Sequence, residues 1–216
     1  MRAKTLTKKI VISVLVLAFI VGSAARIWYV NANAYKQDYE YYNVCDWVPL
    51  EGSFFANREN ETNDYYSVRI SQAEVLTYAE FMAMFDKDES YLGSKRRYDV
   101  ILLKVDFKND GDELGGVYIH EFNIKDESKS TYYNFDTTYM KIANSNLGNI
   151  IAGINVQPHT EASMYFVYPT DGRADGITLL QELEEKGVTD FTMCLDVSRY
   201  PVTKTITFDL TMPENN

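Results

Sequence analysis

The stretch Arg97–Glu113 constrains the fold more than any other. Ile101, Leu103, Val105 and Phe107 fall on one side of an extended chain, and Lys104, Asp106 and Lys108 fall on the other. A period of two marks a strand with one buried and one wet face; a helix would place apolar residues three and four apart. Asn109-Asp110-Gly111-Asp112 then supplies turn chemistry, because these residues tolerate positive φ and bond to their own backbone. A second run, Val117–Ile124, follows at hairpin distance. The two runs are expected to pair as the centre of a sheet.

The same reading extends along the chain. Tyr66, Val68 and Ile70 alternate with Ser67, Arg69 and Ser71. Met164, Phe166 and Tyr168 share a face, as do Phe191, Met193, Leu195 and Val197, and then Ile206, Phe208 and Leu210. Pro49 places Cys45–Leu50 at a sheet edge, where a missing N–H does no harm. Thr77 and Glu80 form a capping box ahead of Tyr78, Phe81, Met82 and Phe85 on one helical face. Helices are also expected over Asp136–Asn146 and over Asp175–Gly187, with acid at the start of the latter and Lys-Gly at its end. Strands are not followed regularly by helices, so a parallel sheet is disfavoured. The expected fold is mainly β: an antiparallel immunoglobulin-like β-sandwich of about seven or eight strands with two or three short inserted helices.

The N-terminus is of another kind. Arg2, Lys4, Lys8 and Lys9 precede an uncharged run from Ile10 to Ala25, and Ile27–Val30 extends it across a single Arg26. Cations followed by about 20 apolar residues direct the following chain out of the cytoplasm. Two fates remain open: Ser23-Ala24-Ala25 resembles a cleavage site, which would release the protein, while Trp28-Tyr29 suits a membrane interface. An uncleaved, single-pass transmembrane helix through residues 10–30 is favoured, with the C-terminal domain extracytoplasmic. The expected organisation is an anchor over 1–30, a polar, Tyr-rich stalk and edge segment over 31–64, and the sandwich over 65–216.

Charge narrows the partners. The first 30 residues hold five basic side chains and no acid, so the remainder carries all 31 acidic groups against 16 basic ones. Such a body repels phosphate, and nucleic acid is excluded as a partner.

Val105–Glu113 resembles the V-x-V-x-N-x-G-D/E stretch of exported, membrane-anchored immunoglobulin-like domains of unknown function from Gram-positive bacteria. Phe122–Asp126 is similar to their F-x-L-x-D segment. Pro158–Glu161 is similar to their P-G-E/T turn, with His159 in place of Gly, and Ala162–Pro169 to the strand that follows. The resemblance spans residues 65–211. It implies a sandwich outside the membrane and brings no catalytic residues.

Chemistry is sparse. Neither His120 nor His159 sits in a nucleophile or metal signature, and both read as structural. Asp171, Asp175 and Glu182 occupy positions one, five and twelve of a calcium-loop pattern, but Arg173 stands where an oxygen ligand belongs; a strand-to-helix loop is the plainer reading. Cys45 and Cys194 are the only cysteines, and a disulfide between them is a candidate in an oxidising exterior. No cofactor is expected. The expected function is non-enzymatic: a membrane-anchored binding or accessory module for an unknown protein or peptide partner at the bacterial surface. An inhibitor or immunity protein against a secreted toxin or hydrolase is the alternative, with a carboxylate hydrolase behind it. Protease added to intact cells should degrade the body of the chain; full protection, read on an immunoblot, would place it inside.

Overall fold

The structure, a computed structural model, describes residues 2–34, 36–56, 61–93, 97–127, 131–147, 153–170 and 178–213. The chain divides into two units, Met1–Lys36 and Gln37–Asn216. The first is a single helix, α1 (Arg2–Ala32). Within it the 22 residues Val11–Ala32 are long and apolar enough to cross a membrane. Val11, Leu15, Phe19 and Trp28 all stand exposed, an arrangement that water penalises and hydrocarbon does not.

The second unit is mainly β. In chain order its elements are β1 (Asp38–Asn43), β2 (Val48–Pro49), β3 (Tyr66–Leu76), α2 (Tyr78–Met84), β4 (Val100–Asn109), β5 (Val117–Tyr118), β6 (Ile124–Asp126) and β7 (Tyr132–Tyr133). There follow α3 (Thr137–Ala143), β8 (Gly153–Ile154), β9 (Thr160–Pro169), α4 (Leu179–Glu185), β10 (Asp190–Ser198) and β11 (Val202–Thr211). One sheet runs β2-β3-β4-β9, a second β1-β11-β10-β6-β7, and β5 pairs with β8. Both larger sheets contribute to one apolar core: Ile101, Leu103, Val105 and Phe107 from one, Met193, Leu195, Ile206 and Phe208 from the other. Phe122, in the loop before β6, joins them. Its ring lies 6.1 Å from Phe107, 5.4 Å from Phe166 and 5.7 Å from Phe55. Its carbonyl accepts the Tyr168 hydroxyl at 2.8 Å.

Local chemistry explains the ends of elements. Thr77 caps α2 through the expected capping box with Glu80. Asp136 caps α3 by accepting from the Thr138 and Tyr139 amides. The cap of α4 is Thr178, with Gln181 closing its own box. The turn after β4 is organised by Asn109, which is 1% exposed. Its amide donates to Val156 and Glu113 carbonyls, and its oxygen accepts from Gly111. Gly115 follows because a Cβ there would sit 1.9 Å from the Thr62 carbonyl oxygen.

Four expectations give way. The hairpin between Arg97–Glu113 and Val117–Ile124 does not form. β4 lies instead between β3 and β9, and the second run divides between β5 and β6. Asn109 bonds the turn to Val156, ahead of β9, rather than to the run that follows it. The sheets are mixed rather than wholly antiparallel, since β1 runs parallel to β11. Asp38–Asn43, read as stalk, is that parallel strand. Finally, Cys45 and Cys194 are both free. Cys194 pairs with Thr207, whose other neighbour is Asn43, so β11 stands between the two thiols. Cys45 itself donates its N–H to Ile70 of the other sheet.

The wet face expected for β4 is only partly wet. Leu102 is fully buried and Asp106 is 6% exposed. Asp106 accepts from Ser163 Oγ at 2.7 Å and from Arg69 Nε at 2.8 Å, and the Arg69 guanidinium lies 4.4 Å from the Trp47 ring centre. Burial alone would raise the Asp106 carboxyl, but bonds from Ser163, Arg69 and Ser71 outweigh it and hold the group below the ordinary carboxylate value. Its folded value is the lower one. Its stabilisation is therefore complete above about pH 5 and fades as pH falls below about 4 towards the folded value. Asp106→Asn should lower the urea midpoint near neutrality and flatten its decline in acid, as followed by circular dichroism.

Candidate functional site

Parity along the strands decides what lines the outer face of the five-stranded sheet. In β10, Met193, Leu195 and Val197 enter the core, so Cys194 and Asp196 point out. In β11, Ile206 and Phe208 enter the core, so Thr203, Thr205 and Thr207 point out. The register then builds two rows. One carries Asn43, Thr207, Cys194, Lys125 and Tyr132 across all five strands; the next carries Tyr41, Thr205 and Asp196. Tyr39 lies opposite Thr203 in the row beyond.

At the centre is an ion pair. Lys125 Nζ reaches diagonally to Asp196, 2.6 Å from Oδ1, with only 5% of the Lys125 side chain and 18% of the Asp196 side chain exposed. Thr205 Oγ1 donates to the same carboxylate at 2.6 Å. Removing two charges from water is costly, and the pair is tolerated because each partner is matched and hydrogen-bonded. Around it stand four rings with about half their surface in solvent: Tyr39, Tyr41, Tyr132 and Tyr200. Together with Gln37, Arg199 and Thr203 these residues enclose an open depression of about 510 Å³. That volume falls within the few hundred to one thousand Å³ usual for ligand sites. A smaller hollow beside Tyr66 and Asn109 holds about 90 Å³.

The end of the depression is tied down by side-chain and backbone hydrogen bonds. Gln37 Nε2 donates to Thr203 Oγ1 at 2.9 Å and also to the Arg199 carbonyl. The Tyr200 N–H donates to Phe54 at 2.8 Å, and the Tyr200 ring packs 6.1 Å from Phe54. Arg199 lies 4.0 Å from Glu121. Among the described residues, each charged side chain lining the depression is thus matched by an opposite charge.

Of the residues singled out from sequence, Cys194 alone lies on this face among the described residues. Asp171 and Asp175 fall outside the described residues, and Glu182 pairs with Lys186 one helical turn on. Among the described residues no group of three or more His, Cys, Asp or Glu side chains could hold a metal. His120 sits in a turn, with its ring 6.0 Å from Tyr118; His159, at φ 57°, contacts Asp112 at 2.9 Å. None of the tyrosines of the depression was singled out, nor were Lys125 and Asp196. The strand pattern does place Lys125 and Asp196 outward, since Lys125 follows the core residue Ile124 and Asp196 lies between Leu195 and Val197, but their adjacency depends on β6 pairing with β10, about 70 positions away in sequence.

Residues 39–204 match the model of a domain of unknown function, DUF5028. The chain belongs to this family. The match runs from Tyr39 to Lys204 and so takes in all of the depression except Gln37. A search of curated protein sequences finds no match. Among solved structures, the DUF5028 chain is similar to the YjhA protein of Bacillus subtilis at 7% identity and a TM-score of 0.37, covering 77% of this chain and 98% of that one. It is similar to a candidate lipoprotein of Staphylococcus aureus at 14% identity and a TM-score of 0.35, covering 68% and 85%.

Lys125→Ala should leave Asp196 buried without its cation and cost about 3 kcal/mol of stability. Replacing both partners together, Lys125→Met with Asp196→Leu, should recover most of that loss. Urea midpoints of the three variants measure it.

Proposed function

We propose that this chain is a non-enzymatic, membrane-anchored binding module. On this reading its β-rich unit is extracytoplasmic and takes its ligand on the outer face of the five-stranded sheet. The observation that carries the reading is the depression itself: four half-exposed tyrosines around a matched, buried ion pair. Exposed aromatic surface is costly to maintain in water and marks contact surfaces, and tyrosine offers a rigid apolar ring with a polar tip. The remaining elements agree. The apolar run of α1 follows Arg2, Lys4, Lys8 and Lys9, the order that retains an N-terminus in the cytoplasm. Two sheets around one core support an immunoglobulin-like class for the second unit, of the kind exported by Gram-positive bacteria.

The test is a photo-crosslinking residue carried in living cells. Placed at Tyr132 it should capture a partner molecule reproducibly. Placed at Leu114, exposed but lining no part of the depression, it should not. Equal capture at the two positions, or none at Tyr132, would overturn the assignment of this face.

A further inference from the structure

We infer that the ligand of this face is an uncharged saccharide chain, an inference that rests on the reading of the face as the binding surface. Three observations point the same way. First, charge: the chain is acidic overall, at −10, yet the charges lining the depression are matched, Lys125 by Asp196 and Arg199 by Glu121. A polyanion approaching this surface meets an acidic body and, among the described residues of the site, no unmatched cation. A polycation attracted to the body finds no unmatched carboxylate among the described residues of the site. Electrostatic complementarity therefore favours a ligand without net charge.

Second, the surface alternates in kind. Tyr39 and Tyr41 stand on the strand at one edge of the sheet and Tyr132 on the strand at the other. Between them lie Thr205, Thr207, Asp196 and Lys125, with Cys194 the one weakly polar side chain among them. A peptide docking through buried side chains would require apolar pockets between the rings. A pyranose has C–H faces that stack on an aromatic ring and hydroxyl edges that bond to polar groups. Rings separated by hydroxyl-bearing residues match that alternation.

Third, extent. Five strands span four inter-strand steps, roughly 19 Å. That is the reach of a short run of sugar rings lying across the strands, not of a single small molecule. Such a chain would cross Tyr132, pass over the Lys125–Asp196 pair, and end against Tyr39 or Tyr41. The exposed Tyr132 and Tyr200 hydroxyls supply bonds along its edge.

The experiment uses the full chain in lipid nanodiscs, free of sugar-based detergent. It is titrated calorimetrically with cellohexaose and chitohexaose as neutral probes, and with an oligogalacturonate and an oligolysine as charged ones. At least one neutral oligomer should bind, with an affinity nearly unchanged between about 50 mM and about 500 mM salt, since no net charge is matched. Tyr39→Ala and Tyr132→Ala should each weaken it about tenfold, the loss expected of one stacking ring, with unaltered urea midpoints. Tyr91→Ala, exposed but lining no part of the depression, should change nothing. Binding of only a charged probe, or of no probe at millimolar concentration, overturns the saccharide inference. If Tyr132 still captures a protein in cells, the face stands as a binding surface and only the ligand class falls. If it captures nothing, both fall together.

Discussion

The seating of Phe122 between the two sheets orders the rest of the β-rich unit. Its ring is fully buried against Phe107 and Phe166 of one sheet, while the strand that begins two residues later belongs to the other. Once Phe122 is inward, alternation makes Ile124 inward and Lys125 outward. The cation at the centre of the tyrosine-lined depression is therefore placed with the help of an aromatic contact made in the loop that enters its strand. A core residue and a surface residue are fixed by one register, and a slip of one position would exchange them.

The two outer faces solve the problem of being outer differently. On the four-stranded sheet, aromatic contacts join the helices to each other and to β9: Phe81 and Tyr139 lie 5.3 Å apart, and Phe85 packs 5.4 Å from Tyr165. Elsewhere on that face Asp106 is buried with Arg69 and Ser163. The five-stranded sheet has no helix whose contacts cover the depression among the described residues. It carries tyrosines instead, whose half-exposed rings stand around the Lys125–Asp196 pair. A matched pair beneath exposed rings gives a floor that is rigid and nearly neutral, at the expense of burying two charges. At the open end of the core the same device recurs. Lys204, 1% exposed, donates to Pro49 and pairs with Glu51 at 2.8 Å, fastening β11 to the opposite sheet.

What could be read from the sequence was what depends on near neighbours. The Thr77–Glu80 box, the inward faces of β4, β9, β10 and β11, and the edge position of Pro49 all follow from local spacing. Pairings were not legible. Val117–Ile124 follows β4 with good turn chemistry, yet β4 pairs with Thr160–Pro169, about 50 residues on. Asn109 bears on this through a buried bond to Val156 that no local pattern announces. The site was hidden for the same reason. Asp38–Asn43 is dense in tyrosine, a strand-forming residue, but has no apolar stripe, because only Tyr42 of its rings turns towards the core. Its neighbour is the last strand of the unit. The outward parity of Cys194 was legible; its separation from Cys45 by β11 was not.

The parallel pairing of β1 with β11 carries a mechanical consequence. β1 is the first strand of its unit, so a pull applied to its N-terminal end along the strand axis enters at Asp38. Six residues of β1 are registered against Val202–Thr207, and a pull in that direction loads their bonds together, in shear, rather than opening them one by one. Tyr39 and Tyr41 sit on this same strand. A ligand stacked on them would bear on the element that takes the strain first, so grip on the ligand and resistance to extraction would reside in one short segment.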